Sequence, residues 1–338
     1  MSKVKTKEPK SILQETIEML NKKSANSVYL LDENKGIDIK RVSTGRLSLD
    51  IPLGGGYPEG RIIEMYGPES SGKTTSTLHA IASYQKQGYT CAFVDYEHSF
   101  DPVYSRAVGV DTSKLIFTQP TSAEEGLDII DALISSGEVK LVVVDSVAAM
   151  VPRKELEGES GDSVIGVHAR LMSQAMRKLA GKTHKTGTTL VFTNQIREKI
   201  GVMFGDPRTT PGGNALKFFA SIRVEFKKGK KDVENGSNRG GLKVVKNKTY
   251  RPFEESEFDM VYGLGISKMS ELVDYAVASG VIDKKGSWYS YGETRLGQGK
   301  NSVQTLLEDN PELEEEITSL VMAVYFPSEE EKEILKEE

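Results

Sequence analysis

Short apolar runs recur through the middle of the chain, and helical patterns separate them. The predicted strands are Ile62–Tyr66, Thr90–Asp95, Lys114–Gln119, Leu141–Asp145 and Thr189–Asn194. The predicted helices lie at about 73–87, 123–135 and 164–182. The run Leu141–Val144 is apolar at every position, which is typical of a parallel strand that is covered on both faces. This alternation predicts an α/β fold with a mostly parallel sheet between layers of helices.

The pattern changes after residue 220. Ser221–Lys227 and Leu242–Asn247 alternate polar and apolar residues, which predicts antiparallel strands that extend the sheet. The chain is helical again from Ile266, and an aromatic patch follows at Trp288–Tyr291. An amphipathic helix near 11–23 precedes the core. We expect three parts, which are an N-terminal segment at 1–33, a core at 34–269 and a small C-terminal α/β domain with an acidic tail at 270–338.

Composition narrows the class of protein. The net charge of −5 over 338 residues argues against a protein that coats nucleic acid with its whole surface. The single cysteine, Cys91, excludes a disulfide framework within the chain and suits a reducing compartment. No apolar run approaches the ~18–20 residues of a spanning helix, and the first residues lack the layout of a signal peptide. We therefore expect a cytoplasmic protein without a membrane partner.

A phosphate-binding loop follows the first predicted strand. Gly67, Gly72, Lys73 and Thr74 match the spacing G-x-x-x-x-G-K-[ST]. The glycines let backbone N–H groups turn toward phosphate oxygens, the lysine reaches the β- and γ-phosphates, and the threonine hydroxyl can ligate Mg²⁺. The alternative is an ordinary Gly/Ser-rich turn, but the preceding strand and the following helical pattern favour the phosphate loop.

Two acidic residues end predicted strands near this loop. Asp145 closes an apolar run, where an aspartate of a P-loop protein holds the Mg²⁺ shell. Glu97 follows another strand at the carboxyl edge of the sheet, where ligands of α/β sheets bind. There it could orient or deprotonate an attacking water. The alternative for Glu97 is a helix cap or a surface acid.

Two glycine-rich polar segments, 152–166 and 195–213, are too long for simple connections. The first leads into a helix that carries Arg170 and Arg177 on one face. The second combines cations, glycines and apolar residues, which suits single-stranded nucleic acid held through phosphates and stacking. A substrate lid or an oligomer contact is the alternative. The basic turn Lys227–Lys231 is either a solvated hairpin tip or a contact to a second strand.

From about residue 30 to 325, the chain resembles the bacterial RecA recombinase family. The resemblance rests on Gly67–Thr75, Glu97–Pro102, Val144–Ala149, Ala169–Gln174, Asn194–Gly205, Gly212–Phe218, Val244–Lys248, Trp288–Tyr291 and Gly297–Lys300. Many ATPases share the P-loop, whereas its combination with the second glycine-rich segment is specific. The resemblance implies a RecA-type P-loop ATPase core, an N-terminal polymerisation helix and a small C-terminal α/β domain.

The resemblance also implies a function. It implies a DNA-dependent ATPase that forms helical filaments on single-stranded DNA and exchanges strands with homologous duplex DNA in recombination, repair and the SOS response. ATP and Mg²⁺ would be the cofactors of this ATPase. Loader and repressor proteins are possible partners under the same resemblance. A ring-forming, helicase-like P-loop motor is the alternative. A non-catalytic DNA-binding protein is a second one, against which the intact set Lys73, Thr74, Glu97 and Asp145 argues.

Individual roles follow from the same resemblance. Nucleotide would contact Gly67, Glu69, Ser70, Ser71, Gly72, Lys73, Thr74, Thr75, Asp101 and Tyr104, and Mg²⁺ would contact Thr74 and Asp145. The catalytic residues would be Glu97, Lys73, Gln195, Lys246 and Lys248, of which the last two would reach the ATP of the neighbouring subunit. DNA would contact Ile165, Arg170, Ser173, Arg177, Arg197, Lys199, Ile200, Gly212 and Gly213. The subunit interface would include Lys217, Phe218 and Arg223.

The chain departs from the family pattern in and near both glycine-rich segments. The departures are Ser160, Val164, His168, Asp206, Arg208 and Pro211. They bear on DNA affinity and loop ordering, whereas the nucleotide site is intact.

Overall fold

A computed structural model describes residues 11–23, 28, 39–159, 166–198, 207–232 and 237–327. The predicted DNA contacts Ile165, Lys199 and Ile200 lie outside the described residues, as do Ser160, Val164, Asp206 and the acidic tail. The chain divides into two compact units, Met1–Ile39 and Lys40–Glu338.

In the first unit, helix α1 spans Ile12–Lys23, close to the predicted amphipathic helix. Its start is capped reciprocally, because Gln14 N donates to Ser11 Oγ at 3.2 Å and Ser11 N donates to Gln14 Oε1 at 3.0 Å. None of its residues is buried, and Ile12 is 84% exposed.

The second unit holds the other elements. Its strands are β1 Arg41–Val42, β2 Tyr57–Pro58, β3 Ile62–Gly67, β4 Thr90–Asp95, β5 Leu115–Thr118, β6 Val139–Asp145, β7 Thr189–Gln195, β8 Arg197–Glu198, β9 Arg208–Thr209, β10 Ile222–Asp232, β11 Ser237–Asn247, β12 Glu255–Val261, β13 Gly265–Ile266, β14 Asp283–Lys285, β15 Trp288–Tyr291 and β16 Thr294–Gln298. Its helices are α2 Leu47–Leu53, α3 Lys73–Lys86, α4 Pro102–Val108, α5 Ala123–Ser136, α6 Arg153–Leu156, α7 Val167–Thr186, α8 Ala215–Phe219, α9 Lys268–Ala278, α10 Lys300–Asp309 and α11 Pro311–Tyr325, with a 3₁₀ turn at Val147–Ala149.

The central sheet has the strand order β13-β12-β11-β10-β3-β7-β6-β4-β5 among the described residues. The six strands from β10 to β5 are parallel, and β11, β12 and β13 continue the sheet in antiparallel fashion. Both the mostly parallel core and its antiparallel extension are therefore confirmed. The carboxyl ends of β3, β4, β6 and β7 meet at one edge, where ligands of such sheets bind.

Strand β6 shows why the predicted two-sided burial holds. Leu141 and Val143 belong to the hydrophobic core on one face of the sheet, and Val142 and Val144 belong to the core on the other. Successive side chains of a strand point to opposite faces. All four are fully buried, and each contributes about 1.5–3 kcal/mol through burial.

A third core lies in the C-terminal part. Leu272, Val303 and Ile317 bring together α9, α10 and α11, and Tyr289 adds the three-stranded sheet β14-β15-β16. The predicted aromatic patch is thus the central strand of a small sheet. No described helix is long and apolar enough to cross a membrane.

The helix predicted at about 164–182 begins at Val167 and continues to Thr186. Its buried face extends to Thr183, and it ends where Gly187 adopts a left-handed conformation with a φ of 71°. The sequence prediction ended too early because this last turn presents few apolar residues.

Candidate functional site

The loop between β3 and α3 is shaped to receive an anion. Gly72 caps the 14-residue helix α3 with a φ of 97°, and no side chain caps the first N–H groups of the helix. A Cβ at Gly72 would lie 2.5 Å from Met260 Cε, and one at Gly67 would lie 2.5 Å from Phe226 O. The backbone oxygen of Phe226 therefore requires glycine at 67, whereas the positive φ favours glycine at 72. The uncapped helix start can therefore bind a phosphate group.

Lys73 is held inside this loop. Its Nζ donates to Pro68 O at 2.7 Å and to Gly67 O at 3.1 Å. Burial lowers the pKa of this lysine, and nearby acids, including Asp145 and Glu97, oppose the effect. The loop carbonyls thus fix the ammonium group at the phosphate-binding turn.

Thr74 and Asp145 form a pair of oxygen ligands. Thr74 Oγ1 donates to Asp145 Oδ2 at 2.6 Å, and Thr193 donates to the other carboxylate oxygen. Burial raises the pKa of Asp145. No described cluster of three His, Cys, Asp or Glu residues could hold a metal ion. A hydroxyl and a carboxylate suit Mg²⁺, which takes its remaining ligands from water and phosphate.

Glu97 lies where β4, β6 and β7 end. Its Oε1 accepts hydrogen bonds from Ser146 Oγ and, at 3.2 Å, from Gln195 Nε2. Asp95 holds the turn that carries Glu97, because its Oδ2 accepts from Phe100 N at 3.2 Å and from Gln119 Nε2 at 3.0 Å. The structure therefore brings two of the residues predicted to be catalytic, Glu97 and Gln195, into contact with each other.

The two other residues predicted to contact nucleotide differ in their surroundings. Tyr104 OH lies 2.9 Å from Thr75 Oγ1, next to the phosphate loop. Asp101 instead caps α4, since its carboxylate accepts from Val103 N at 2.7 Å and from Tyr104 N at 3.2 Å. The carboxylate of Asp101 thus caps α4, a role that the sequence analysis did not assign to it beside the predicted nucleotide contact.

A cavity of about 400 Å³ lies against the phosphate loop. Residues Ser70 to Thr75 form one wall. Four further residues line the cavity, and the sequence prediction assigned none of them to this site: Lys228, Asn238, Met260 and Tyr262. Tyr262 is 61% exposed, so much of its ring is open to solvent at this cavity.

Five of the predicted DNA-contacting residues lie on α7 or pack against it: Arg170, Ser173, Arg177, Gly212 and Gly213. Arg170 and Arg177 are exposed on this helix, and Ser173 Oγ donates to Ala169 O at 2.8 Å. Gly213 packs so closely against α7 that a Cβ there would lie 2.7 Å from Ala169 Cβ. Gly212 packs similarly, with Val147 Cγ1 at 2.8 Å from an added Cβ. The end of the second glycine-rich segment thus lies against the helix that follows the first.

The described part of the second segment is not wholly irregular. Arg197 pairs with Thr209 and Glu198 pairs with Arg208 in a small antiparallel sheet. Arg197 remains exposed. The sequence pattern predicted no strands within this segment, and the structure shows a short strand of two residues on either side of its base.

The predicted interface residues Lys217, Phe218 and Arg223 lie in α8 and at the start of β10. Phe218 is 72% exposed, and Lys246 Nζ donates to Phe218 O at 3.0 Å and to Lys217 O at 2.7 Å. Lys217 Nζ donates to Thr209 Oγ1 at 2.8 Å. Arg223 pairs with the buried Glu64 at 2.6 Å.

Glu64 and Asn194 form a buried connection that the sequence prediction missed. Asn194 Nδ2 donates to Glu64 Oε1 at 3.1 Å and to Pro211 O at 3.2 Å. Asn194 precedes Gln195, so this amide links the end of β7 to the glycine-rich segment. The sequence around Glu64 does not indicate that Asn194 and Arg223, which are far away along the chain, are its partners.

Comparison with known proteins places these features in a family. A family model described as the RecA N-terminal domain matches residues 11–267, and one described as the RecA C-terminal domain matches residues 270–325. Protein RecA of Levilactobacillus brevis is 52% identical over 310 residues, which cover 90% of this chain and 82% of that protein.

Two further relatives agree. Protein RecA of Enterococcus faecium is 53% identical over 308 residues, covering 90% of this chain and 88% of the relative. Protein RecA of Lactobacillus acidophilus is 50% identical over 323 residues, covering 94% of this chain and 89% of the relative. These matches give no support to a ring-forming helicase. The chain belongs to the RecA family of recombinases and DNA-dependent ATPases.

Proposed function

We propose that this chain binds ATP with Mg²⁺ in the phosphate-loop cavity and hydrolyses it within a helical filament on single-stranded DNA. The filament pairs with homologous duplex DNA and exchanges strands. The observation that carries the proposal is the convergence of Lys73, Thr74, Asp145, Glu97 and Gln195 at one sheet edge, beside the DNA-contacting segment.

In this proposal each residue has a distinct task. Lys73 and the backbone N–H groups of 70–75 bind the phosphates, while Thr74 and Asp145 hold Mg²⁺, which neutralises phosphate charge when bound. Glu97 orients or deprotonates the attacking water. Tyr104 contacts Thr75 of the phosphate loop and the exposed Tyr262 lines the cavity, and in this proposal both contact the base.

Gln195 couples the nucleotide to DNA. It is the last residue of β7, it contacts Glu97, and it begins the glycine-rich segment. A change in its contact with the γ-phosphate would therefore move the segment that holds DNA. Arg170, Ser173, Arg177, Arg197, Gly212 and Gly213 provide the described part of that surface, and Ile165, Lys199 and Ile200 complete it in the proposal.

Assembly completes the site. Lys246 and Lys248 act on the ATP of the neighbouring subunit, with Lys217, Phe218 and Arg223 at the same interface. A head-to-tail contact of this kind generates a helix rather than a closed ring when its rotation does not close. The proposed parts are the docking segment 1–33, the ATPase core 34–269 and the C-terminal domain 270–338. The family-model ranges support the second boundary.

Loader and repressor proteins are further proposed partners, and the proposed location is the cytoplasm. The lone buried Cys91 suits that reducing compartment.

The decisive experiment measures ATP hydrolysis with and without single-stranded DNA, at low and at moderate salt. We expect DNA to stimulate hydrolysis strongly and the stimulation to fade as salt rises. Binding to DNA phosphates releases counterions, so the affinity for DNA falls as the salt concentration increases. Micrographs of the same samples should show helical filaments. Fast hydrolysis that is indifferent to DNA would contradict the proposal.

A further inference from the structure

The cavity at the phosphate loop is also lined by a cation to which the resemblance assigns no task. Beyond the loop, its lining residues are Lys228, Asn238, Met260 and Tyr262, and Lys228 is the only one of these four with a charge. The side chain of Lys228 is exposed. Lys228 and Lys73 therefore line the same cavity.

Strand pairing explains why Lys228 reaches this position. Strand β10 runs parallel to β3, with Glu225 opposite Tyr66. Phe226 then covers Gly67, whose added Cβ would lie 2.5 Å from Phe226 O. Lys228 follows two residues later, about 7 Å further along the strand. The strand thus carries Lys228 past the end of β3 and alongside the phosphate loop.

The neighbouring Lys227 faces away from the loop. It lines a different cavity, together with Arg239 and Glu255, whereas Lys228 lines the cavity at the phosphate loop. Its Nζ pairs with Glu255 Oε2 at 3.1 Å, and Lys243 pairs with the same carboxylate at 2.7 Å. These two cations therefore already have an acidic partner.

Lys228 has no such partner in the described part of the chain, where no carboxylate lies within ion-pair distance of its ammonium group. Lys73, which lines the same cavity, is bonded to two loop carbonyls. A polyphosphate bound in this cavity would therefore meet two cations of one subunit. Charge-assisted hydrogen bonds to phosphate are shorter and stronger than neutral ones.

We propose that Lys228 is a second cation of the same subunit on the phosphate chain of a bound nucleoside triphosphate. This proposal rests on the proposed nucleotide site. It makes the β10–β11 hairpin part of that site, so the hairpin responds to nucleotide without help from a neighbouring subunit. Lys228 is a binding residue here, and the attacking water remains the task of Glu97.

The test measures the affinity of the full chain for a slowly hydrolysed fluorescent ATP analogue with Mg²⁺, in the absence of DNA. We expect Lys228→Ala to weaken binding about tenfold, equal to about 1.4 kcal/mol. The loss should shrink as salt is raised, because the lysine is exposed and screened. Lys228→Arg should bind within about twofold of wild type, since it keeps the cation.

Lys227→Ala is the matched control, because it removes the same charge from the adjacent residue on the other face. It should bind the analogue within about twofold of wild type. Thermal melting of all three variants checks that they fold, as expected for exposed side chains. If Lys228→Ala binds the analogue as tightly as wild type does, the proposal is overturned. It is also overturned if Lys228→Ala binds DNA more weakly but binds the analogue as wild type does.

The same titration separates this proposal from the one on which it rests. If wild type fails to bind the analogue, or if Lys73→Ala binds it unchanged, the nucleotide site itself is wrong. If wild type binds, Lys73→Ala fails and Lys228→Ala is unaffected, only the role of Lys228 is wrong.

Discussion

Lys248 and Lys73 lie beyond opposite ends of strand β3. Lys248 N donates to Ser221 O at 2.9 Å, and Ser221 N donates to Ile62 O at 2.8 Å, at the first residue of the strand. Lys73 follows the loop after the last residue, Gly67. The six-residue strand between them is about 16 Å long at about 3.3 Å per residue. Within one subunit the two lysines therefore face opposite edges of the sheet.

This separation predicts a nucleotide site that is shared between subunits. A Lys73→Ala chain keeps its distal lysines, and a chain with Lys246→Ala and Lys248→Ala keeps its phosphate loop. We expect each variant alone to lack DNA-stimulated hydrolysis and a mixture of the two to recover part of it. In the mixed filament, some intact phosphate loops face intact lysines. The measurement is ATP turnover on single-stranded DNA against the mixing ratio.

Two results would contradict a shared site. One is wild-type turnover by the doubly substituted chain alone. The other is a mixture that stays as inactive as its components while micrographs show that both variants enter the same filaments.

Glu97 allows a prediction that separates binding from hydrolysis. Glu97→Gln keeps the side-chain shape and an acceptor for Ser146 and Gln195, but it removes the base. We expect DNA-stimulated turnover to fall by about 10²–10⁴-fold, with nucleotide affinity within about twofold of wild type. Glu138→Gln is the matched control, because it makes the same change on an exposed residue before β6. A Glu97→Gln chain that still turns over ATP at half the wild-type rate would remove Glu97 from the catalytic residues.

Local patterns predicted much of the fold. The strand predicted at Thr90–Asp95 coincides with β4, since an apolar run and a terminal acid are both readable within a few residues. The phosphate loop and its flanking strand and helix could also be predicted, because the residues that define them are consecutive in the sequence.

The side-chain partners that sequence reasoning missed depend on long-range pairing. In the sequence, Glu64 is an unexplained acid within an apolar strand. In the structure it pairs with Arg223 of β10 and accepts a hydrogen bond from Asn194 of β7. In the sequence, Lys228 is one lysine of a basic turn. In the structure, β10 pairs in parallel with β3, and Lys228 lines the cavity at the phosphate loop. Residue types and spacing do not encode which distant strand will be the neighbour.

Gly212 offers a test of the link between the glycine-rich segment and α7. It has a φ of 84°, and an added Cβ would lie 2.8 Å from Val147 Cγ1. We expect Gly212→Ala to displace the segment, to weaken binding of single-stranded DNA about tenfold or more, and to leave DNA-independent hydrolysis unchanged. DNA affinity is measured by anisotropy of a labelled oligonucleotide.

Gly137→Ala is the matched control for that substitution. Gly137 has a similar φ of 76°, but nothing lies within 4 Å of an added Cβ. Both variants therefore carry the backbone strain, about 1–3 kcal/mol, and only Gly212→Ala carries the collision. Equal DNA affinity for the two variants would show that the packing against Val147 does not position the segment.

Glu271 predicts how stability depends on pH. This residue of α9 is 2% exposed, and its carboxylate accepts a hydrogen bond from Ser48 N at 3.3 Å. Burial raises its pKa from 4.5 to about 7, and the charge of Arg46 limits the rise. The folded chain therefore holds this proton more tightly than the unfolded chain. The resulting stabilisation is complete below pH 4.5 and is lost as the pH rises through about 7.

Glu271→Gln should remove this dependence. A shift of that size corresponds to about 3 kcal/mol, so the variant should gain up to that much unfolding free energy over wild type at pH 8. The gain should be small near pH 5, because Glu271 is then protonated in the folded chain. Thermal melting from pH 5 to 8 measures the difference, with Glu138→Gln as the exposed control. Parallel pH profiles for wild type and Glu271→Gln would mean that Glu271 is not the group that weakens the fold at high pH.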